Sequence, residues 1–188
     1  MSPVLAVLGF GFQFFAVAIW CGGLLYFAAV VAPLAFHKLR SRTEAGNFTA
    51  ACLRRFHTWE AACALLSLCG SGFLYVAPVQ SWLLWVDVGI ALAMFLLFIV
   101  CVGLLMPRLD ALRMTMGDAD MAGRDVEPKV LQTFHQLHAW YARLSTANIA
   151  LGVVLLAVLI LLAIHCGEGT ATAVSDTLML GGSVGQWP

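Results

Sequence analysis

Charge is what this sequence has least of. Only 11% of its 188 residues are Asp, Glu, Lys or Arg, and Met1 to Phe36 contains none of them. Ten basic residues balance ten acidic ones, so there is no basic face of the kind a nucleic-acid partner requires. Also missing are a Gly-rich phosphate loop, a His-Glu-x-x-His pair, a Cys-x-x-Cys pair and a haem c attachment site, which removes the soluble chemistries those motifs serve. The balance is against an enzyme. Six cysteines would propose a disulfide framework in a small secreted domain, but Cys21, Cys63, Cys69 and Cys101 lie inside apolar runs and read as buried thiols. What is abundant is apolar surface: 62% hydrophobic residues and a mean hydropathy of +0.92 describe a membrane protein.

Crossing a hydrocarbon core of about 30 Å takes roughly 20 apolar residues as a helix, and four runs are long enough. The spacing predicts an all-α integral membrane four-helix bundle, with helices at about 4–36, 58–78, 82–106 and 138–165 in a single domain over 1–166. The N-terminal run lacks a basic leader region and is too long for a signal peptide, so it counts as the first helix. Pro78-Val79-Gln80-Ser81 joins the second and third helices as a tight hairpin. The Gly-, Ser-, Thr- and Ala-rich stretch 167–188 reads as a flexible outer tail.

All ten basic residues fall in the first and third connections and their borders, from Lys38 to Arg55 and from Arg108 to Arg143. Short loops rich in Lys and Arg stay in the cytoplasm, so both termini are expected outside, periplasmic in a bacterial inner membrane. Trp82 and Trp85 then mark the outer interface. A loose internal repeat adds to this. His57-x-Trp59 enters the second helix and His138-x-Trp140 the fourth, while Pro33 and Pro107 end the first and third. Two parallel hairpins related by an axis along the membrane normal would carry such a pattern, and would set His57 and His138 at equivalent depths on facing helices.

Four of five histidines (His37, His57, His135, His138) belong to the basic end, and histidine is the commonest ligand for transition metals and haem iron. His135 and His138 lie at i, i+3, on one helical face where they can share an ion, with His37 as a further metal candidate. Alternatively, His57 and His138 clamp haem b from two sides, with Glu60 in a supporting hydrogen bond. The bland alternative is histidines that only tolerate the headgroup region. Met114, Met116 and Met121 form a thin thioether cluster of a kind that suits Cu(I). Intramembrane ionisable residues point to function by default, and Glu60 and Asp87 qualify, although Asp87 is near enough the outer end to reach water beside Trp82 and Trp85. Gln13, Trp20, Ser67, Ser145, Thr146 and Asn148 read as polar groups that join helices.

Trp20-Cys21-Gly22-Gly23-Leu24-Leu25-Tyr26, then Val31-Ala32-Pro33 and Phe36-His37-Lys38-Leu39, resembles the first helix of small four-helix bacterial membrane proteins similar to transmembrane protein 205. Phe134-His135-Gln136-Leu137-His138 and Asn148 fit the same pattern, so the resemblance covers most of residues 10–165. Eukaryotic relatives in that family are associated with tolerance to a platinum drug, which implies a link to metal handling. The Trp-x-Gly-Gly-Leu-x-Tyr stretch is also similar to copper-resistance D proteins and HemJ-type protoporphyrinogen oxidases, the latter haem-binding. No histidine precedes His37 and the third helix has no lysine, so no catalytic residue carries over from them.

Two functional classes follow. One is a haem b or copper protein using His57, His138 and His135, with Glu60 behind them, for electron transfer or metal handling. The other is a non-catalytic accessory subunit whose glycine-rich helices pack against other membrane subunits or a second copy. A transporter has less support, because four helices with few intramembrane polar groups offer little pathway.

Overall fold

A computed structural model describes residues 3–77 and 82–181. The Pro78–Ser81 hairpin and residues 182–188 of the expected tail lie outside the described residues. The elements are α1 (Pro3–Tyr26), a π-helical segment (Phe27–Val31), α2 (Ala32–Lys38), α3 (Arg42–Val76), α4 (Trp82–Ile99), a second π-helical segment (Val100–Leu105), α5 (Met106–Met121) and α6 (Pro128–Gly181). Four of the resulting rods are long and apolar enough to cross a membrane. The chain is therefore a multi-pass helical membrane protein.

The connections at the basic end are largely helix, where loops were expected up to about residue 58 and from about 106 to 138. The reason for the first is local. Ser41 takes an extended conformation and its hydroxyl accepts from the Glu44 N–H at 3.0 Å, which caps α3 and starts it at Arg42. The second connection leaves the helix only over 122–127, turning at Gly123, whose φ of +62° lets the Arg124 N–H reach back to the Ala119 carbonyl at 2.9 Å. Pro128 then opens α6.

Both π-helical segments end two residues before a proline. Pro33 and Pro107 lack an N–H, and in a regular helix their rings would collide with the carbonyl four residues back. Widening the preceding turn relieves that, so the Ala32 N–H bonds to the Phe27 carbonyl and the Met106 N–H to the Cys101 carbonyl, each reaching back five residues.

Buried side chains recur at helical spacing: Gln13, Ala16, Val17, Trp20, Cys21 and Leu24 on α1, and Leu84, Asp87, Ala91, Met94 and Phe98 on α4. They stack in three layers. Leu74, Leu84, Leu159 and Leu162 fill the end where α3 stops and α4 starts, Trp20, Cys63, Met94 and Phe98 belong to the middle, and Leu53, Cys101, Leu109 and Tyr141 fill the basic end. Helices α1 and α3 cross closely at Gly9 and Gly70, where a Cβ on Gly70 would stand 2.9 Å from the Gly9 carbonyl oxygen. Outside, Phe15, Ile19, Leu65, Leu96 and Leu161 are exposed, as lipid-facing positions must be. Exposed tryptophans mark both ends, Trp82 and Trp85 at one and Trp59 and Trp140 at the other.

Candidate functional site

The polar residues of the bundle interior gather at two levels. The first lies toward the basic end and spans α1, α3 and α6. His57 and Glu60 stand one turn apart on the buried face of α3, 7% and 3% exposed, and the His57 Nδ1 pairs with Glu60 Oε2. The other carboxylate oxygen accepts from the Trp20 Nε1–H of α1 at 2.9 Å. On the far side of the imidazole, the Tyr141 hydroxyl of α6 lies 3.5 Å from Nε2. When the Nδ1–H donates to the carboxylate, Nε2 holds the lone pair and faces that hydroxyl. An imidazole and a carboxylate buried together can exist as a neutral pair or an ion pair, differing by the position of one proton.

The second level lies toward the opposite end. Gln13 of α1 donates from Nε2 to Ser71 Oγ at 2.8 Å and to Asp87 Oδ1 at 2.8 Å, and Ser71 Oγ donates to Asp87 Oδ2 at 2.9 Å. Asp87 is 0% exposed and has no access to water beside Trp82 and Trp85, contrary to the expectation from its position. Its place on α4 between Leu84 and Ala91 explains this: the inward stripe recurs every three to four residues, and Asp87 falls on it.

Ser67 lies on the α3 face between the two levels and is itself buried. Two further buried oxygens, Gln13 Oε1 and Asn148 Oδ1, have no hydrogen-bond donor. The thiol of Cys21 contacts the Ile149 carbonyl at 4.0 Å in the same middle region.

The remaining histidines are elsewhere. His138 is exposed and stacks on Phe134 at 5.9 Å, on the ring that also carries the Arg113 guanidinium at 5.6 Å. His135 is exposed beside the same phenylalanine, and His37 lines a shallow apolar groove with Ala29, Val30, Pro33 and Leu34. The structure thus brings together His57 and Glu60, with Trp20 and Tyr141 around them, and does not bring His57 to His138. Among the described residues no group of three or more His, Cys, Asp and Glu is arranged to hold a metal ion. Met114 and Met121 are exposed.

Sequence reasoning did not anticipate Tyr141 or the Gln13–Ser71–Asp87 triangle. A signal for the first existed, since Tyr141 follows His138 at the same offset as Glu60 follows His57. The triangle joins three helices, and no pattern within one segment encodes it.

A membrane bundle with two buried polar centres is the class this fold and site define. Within that class, the chain belongs to a family described as a domain of unknown function, DUF4149, whose model matches residues 15–117. The match takes in Trp20, His57, Glu60, Ser71 and Asp87 and stops short of Tyr141. Neither the curated proteins nor the solved structures compared with the chain contain a match.

Proposed function

We propose that this protein holds and passes protons inside its bundle, with the His57–Glu60 pair as the proton-holding centre. The observation that carries the reading is the burial of an imidazole and a carboxylate in direct contact, each braced from another helix by Trp20 or Tyr141. Ionisable groups at this depth are costly to keep and mark ion or proton paths when they face a bundle interior. A proton taken up at His57 Nε2 from the Tyr141 side releases the Nδ1 proton to Glu60 Oε2, which leaves both groups neutral. Ser67, Gln13 Oε1 and Asn148 Oδ1 are the polar atoms along the interior that suit a hydrogen-bonded water chain.

The test is acidification of the lumen of proteoliposomes, followed by a trapped pH dye under an imposed potassium diffusion potential. Wild-type protein should speed acidification severalfold over protein-free vesicles, and Glu60→Gln should return it to that baseline. Equal rates for wild type and empty vesicles overturn the reading.

One observation favours a second reading, a haem b or copper centre. A metal-bound histidine commonly donates its other ring N–H to a carboxylate, and Glu60 stands in that relation to His57, leaving Nε2 as the ligand atom. A haem Soret band, or copper by elemental analysis, lost in His57→Ala, would support it; apoprotein from cells supplied with both would count against it. The accessory-subunit reading draws on Gly22, Gly72, Gly89 and Gly103, around whose Cβ positions nothing lies within 4 Å.

With these readings goes a bacterial inner-membrane location and a topology with both termini outside, supported by the confinement of all ten Lys and Arg to the other end. The parallel repeat is supported by the two π-helical turns before Pro33 and Pro107. The likenesses to transmembrane protein 205 and to copper-resistance D and HemJ-type proteins belong to the same proposal.

A further inference from the structure

Among the described residues, the carboxylate at the other end of the bundle makes no ion pair. Helix α1 carries no charged residue, α3 none after Glu60, α4 none but Asp87, and α6 none between Arg143 and His165. Of the described titratable side chains on the packed helices at this end, Cys69 and Tyr75 on α3 and His165 on α6 are exposed, whereas Asp87 is fully buried. An ionised carboxylate so placed is held only by the Gln13 amide and the Ser71 hydroxyl.

Two occupants can neutralise it, a metal ion or a proton, and the chemistry of the corners discriminates between them. The three edges of the triangle are 2.8, 2.8 and 2.9 Å, which are hydrogen-bond lengths. One corner is Gln13 Nε2, an amide nitrogen that donates and has no lone pair to give a cation, and among the described residues no group of three or more His, Cys, Asp and Glu is arranged to hold a metal ion. A proton needs no further ligand. With Asp87 protonated on Oδ2, that O–H donates to Ser71 Oγ, and the serine hydroxyl turns to a carbonyl one turn back along α3, an alternative open to any helical serine. All three edges survive, and the only change is the direction of one hydrogen bond.

We propose that Asp87 is a second proton-binding site, neutral in the resting protein, with Gln13 and Ser71 as its positioning residues. It rests on the proton-handling reading in one respect: it serves as the far station for protons held at His57–Glu60. Along α1 the two levels are separated by the rise from Gln13 to Trp20, about 10 Å at 1.5 Å per residue, so transfer between them runs through intervening groups such as Ser67.

Infrared spectroscopy of the full chain in lipid tests the site directly. At neutral pH the wild type should show the carbonyl stretch of a protonated carboxyl group. Isotopic labelling of aspartate carboxyl carbons should shift that band to lower frequency, and Asp87→Asn should abolish it while Glu60→Gln retains it. The labelled wild type needs no variant to fold, so a band absent at neutral pH, or present but unmoved by the label, overturns the proposal. The same preparations report on the wider reading through lumen acidification. A labelled band without proton flux leaves the Asp87 site standing and removes the relay, whereas flux without the band removes the site alone.

Discussion

The Trp20 indole N–H donates to Glu60 Oε1 at 2.9 Å and thereby ties α1 to α3 at the depth of the His57 pair. Both partners are almost fully buried, so the bond links the two helices and also keeps one carboxylate oxygen supplied with a donor. Without it, Glu60 would depend on the imidazole alone.

Replacing Trp20 by Phe keeps most of the ring volume and removes the donor. A buried acceptor left without its partner costs about 1–3 kcal/mol, so Trp20→Phe should lower the thermal unfolding midpoint measured by circular dichroism in detergent. An unchanged midpoint would show that Glu60 Oε1 finds another donor.

Tyr141→Phe removes only the hydroxyl that faces His57 Nε2. Proton flux should fall severalfold with little change in unfolding midpoint, because the 3.5 Å contact is long and contributes little to stability. Retained flux would mean that protons reach the imidazole by another side.

Gly70→Ala should destabilise by about 1–3 kcal/mol, the range for overpacking. Its Cβ would stand 2.8 Å from Gln13 Cβ and 2.9 Å from the Gly9 carbonyl oxygen, and backbone cannot step aside as a flexible side chain can. Gly72→Ala is the control: nothing lies within 4 Å of its Cβ, and helix propensity favours alanine by up to about 1 kcal/mol. Chemical denaturation of both variants should separate them in sign.

Ser41→Ala deletes the cap of α3 and should cost about 1 kcal/mol, confined to the first turns of that helix. Hydrogen exchange should accelerate around Glu44 and leave the amides near Ser67 unchanged. Acceleration along the whole helix would mean that the cap supports the bundle as well as its own turn.

The four spans were legible because bilayer thickness converts directly into run length, and Glu60 stood out beside His57 because a carboxylate in an apolar run is conspicuous. The start of α3 was not read, although Ser41-Arg42-Thr43-Glu44 is a capping sequence, because the basic residues around it mark a cytoplasmic connection. His57 and His138 look alike in sequence, each followed two residues later by tryptophan, yet one is buried and the other exposed. That difference depends on how each helix is rotated against its neighbours, and rotation is set by packing.

What the sequence by itself determined is how many times the chain crosses a membrane and which ends of its helices carry charge, since both depend on transfer of single segments between water and hydrocarbon. Only the tertiary structure decided which polar side chains meet. Gln13, Ser71 and Asp87 come from three helices, as do Trp20, the His57–Glu60 pair and Tyr141. A polar group buried away from water must find its partner wherever the packed helices bring one within about 3 Å, and that position is a property of the assembled bundle.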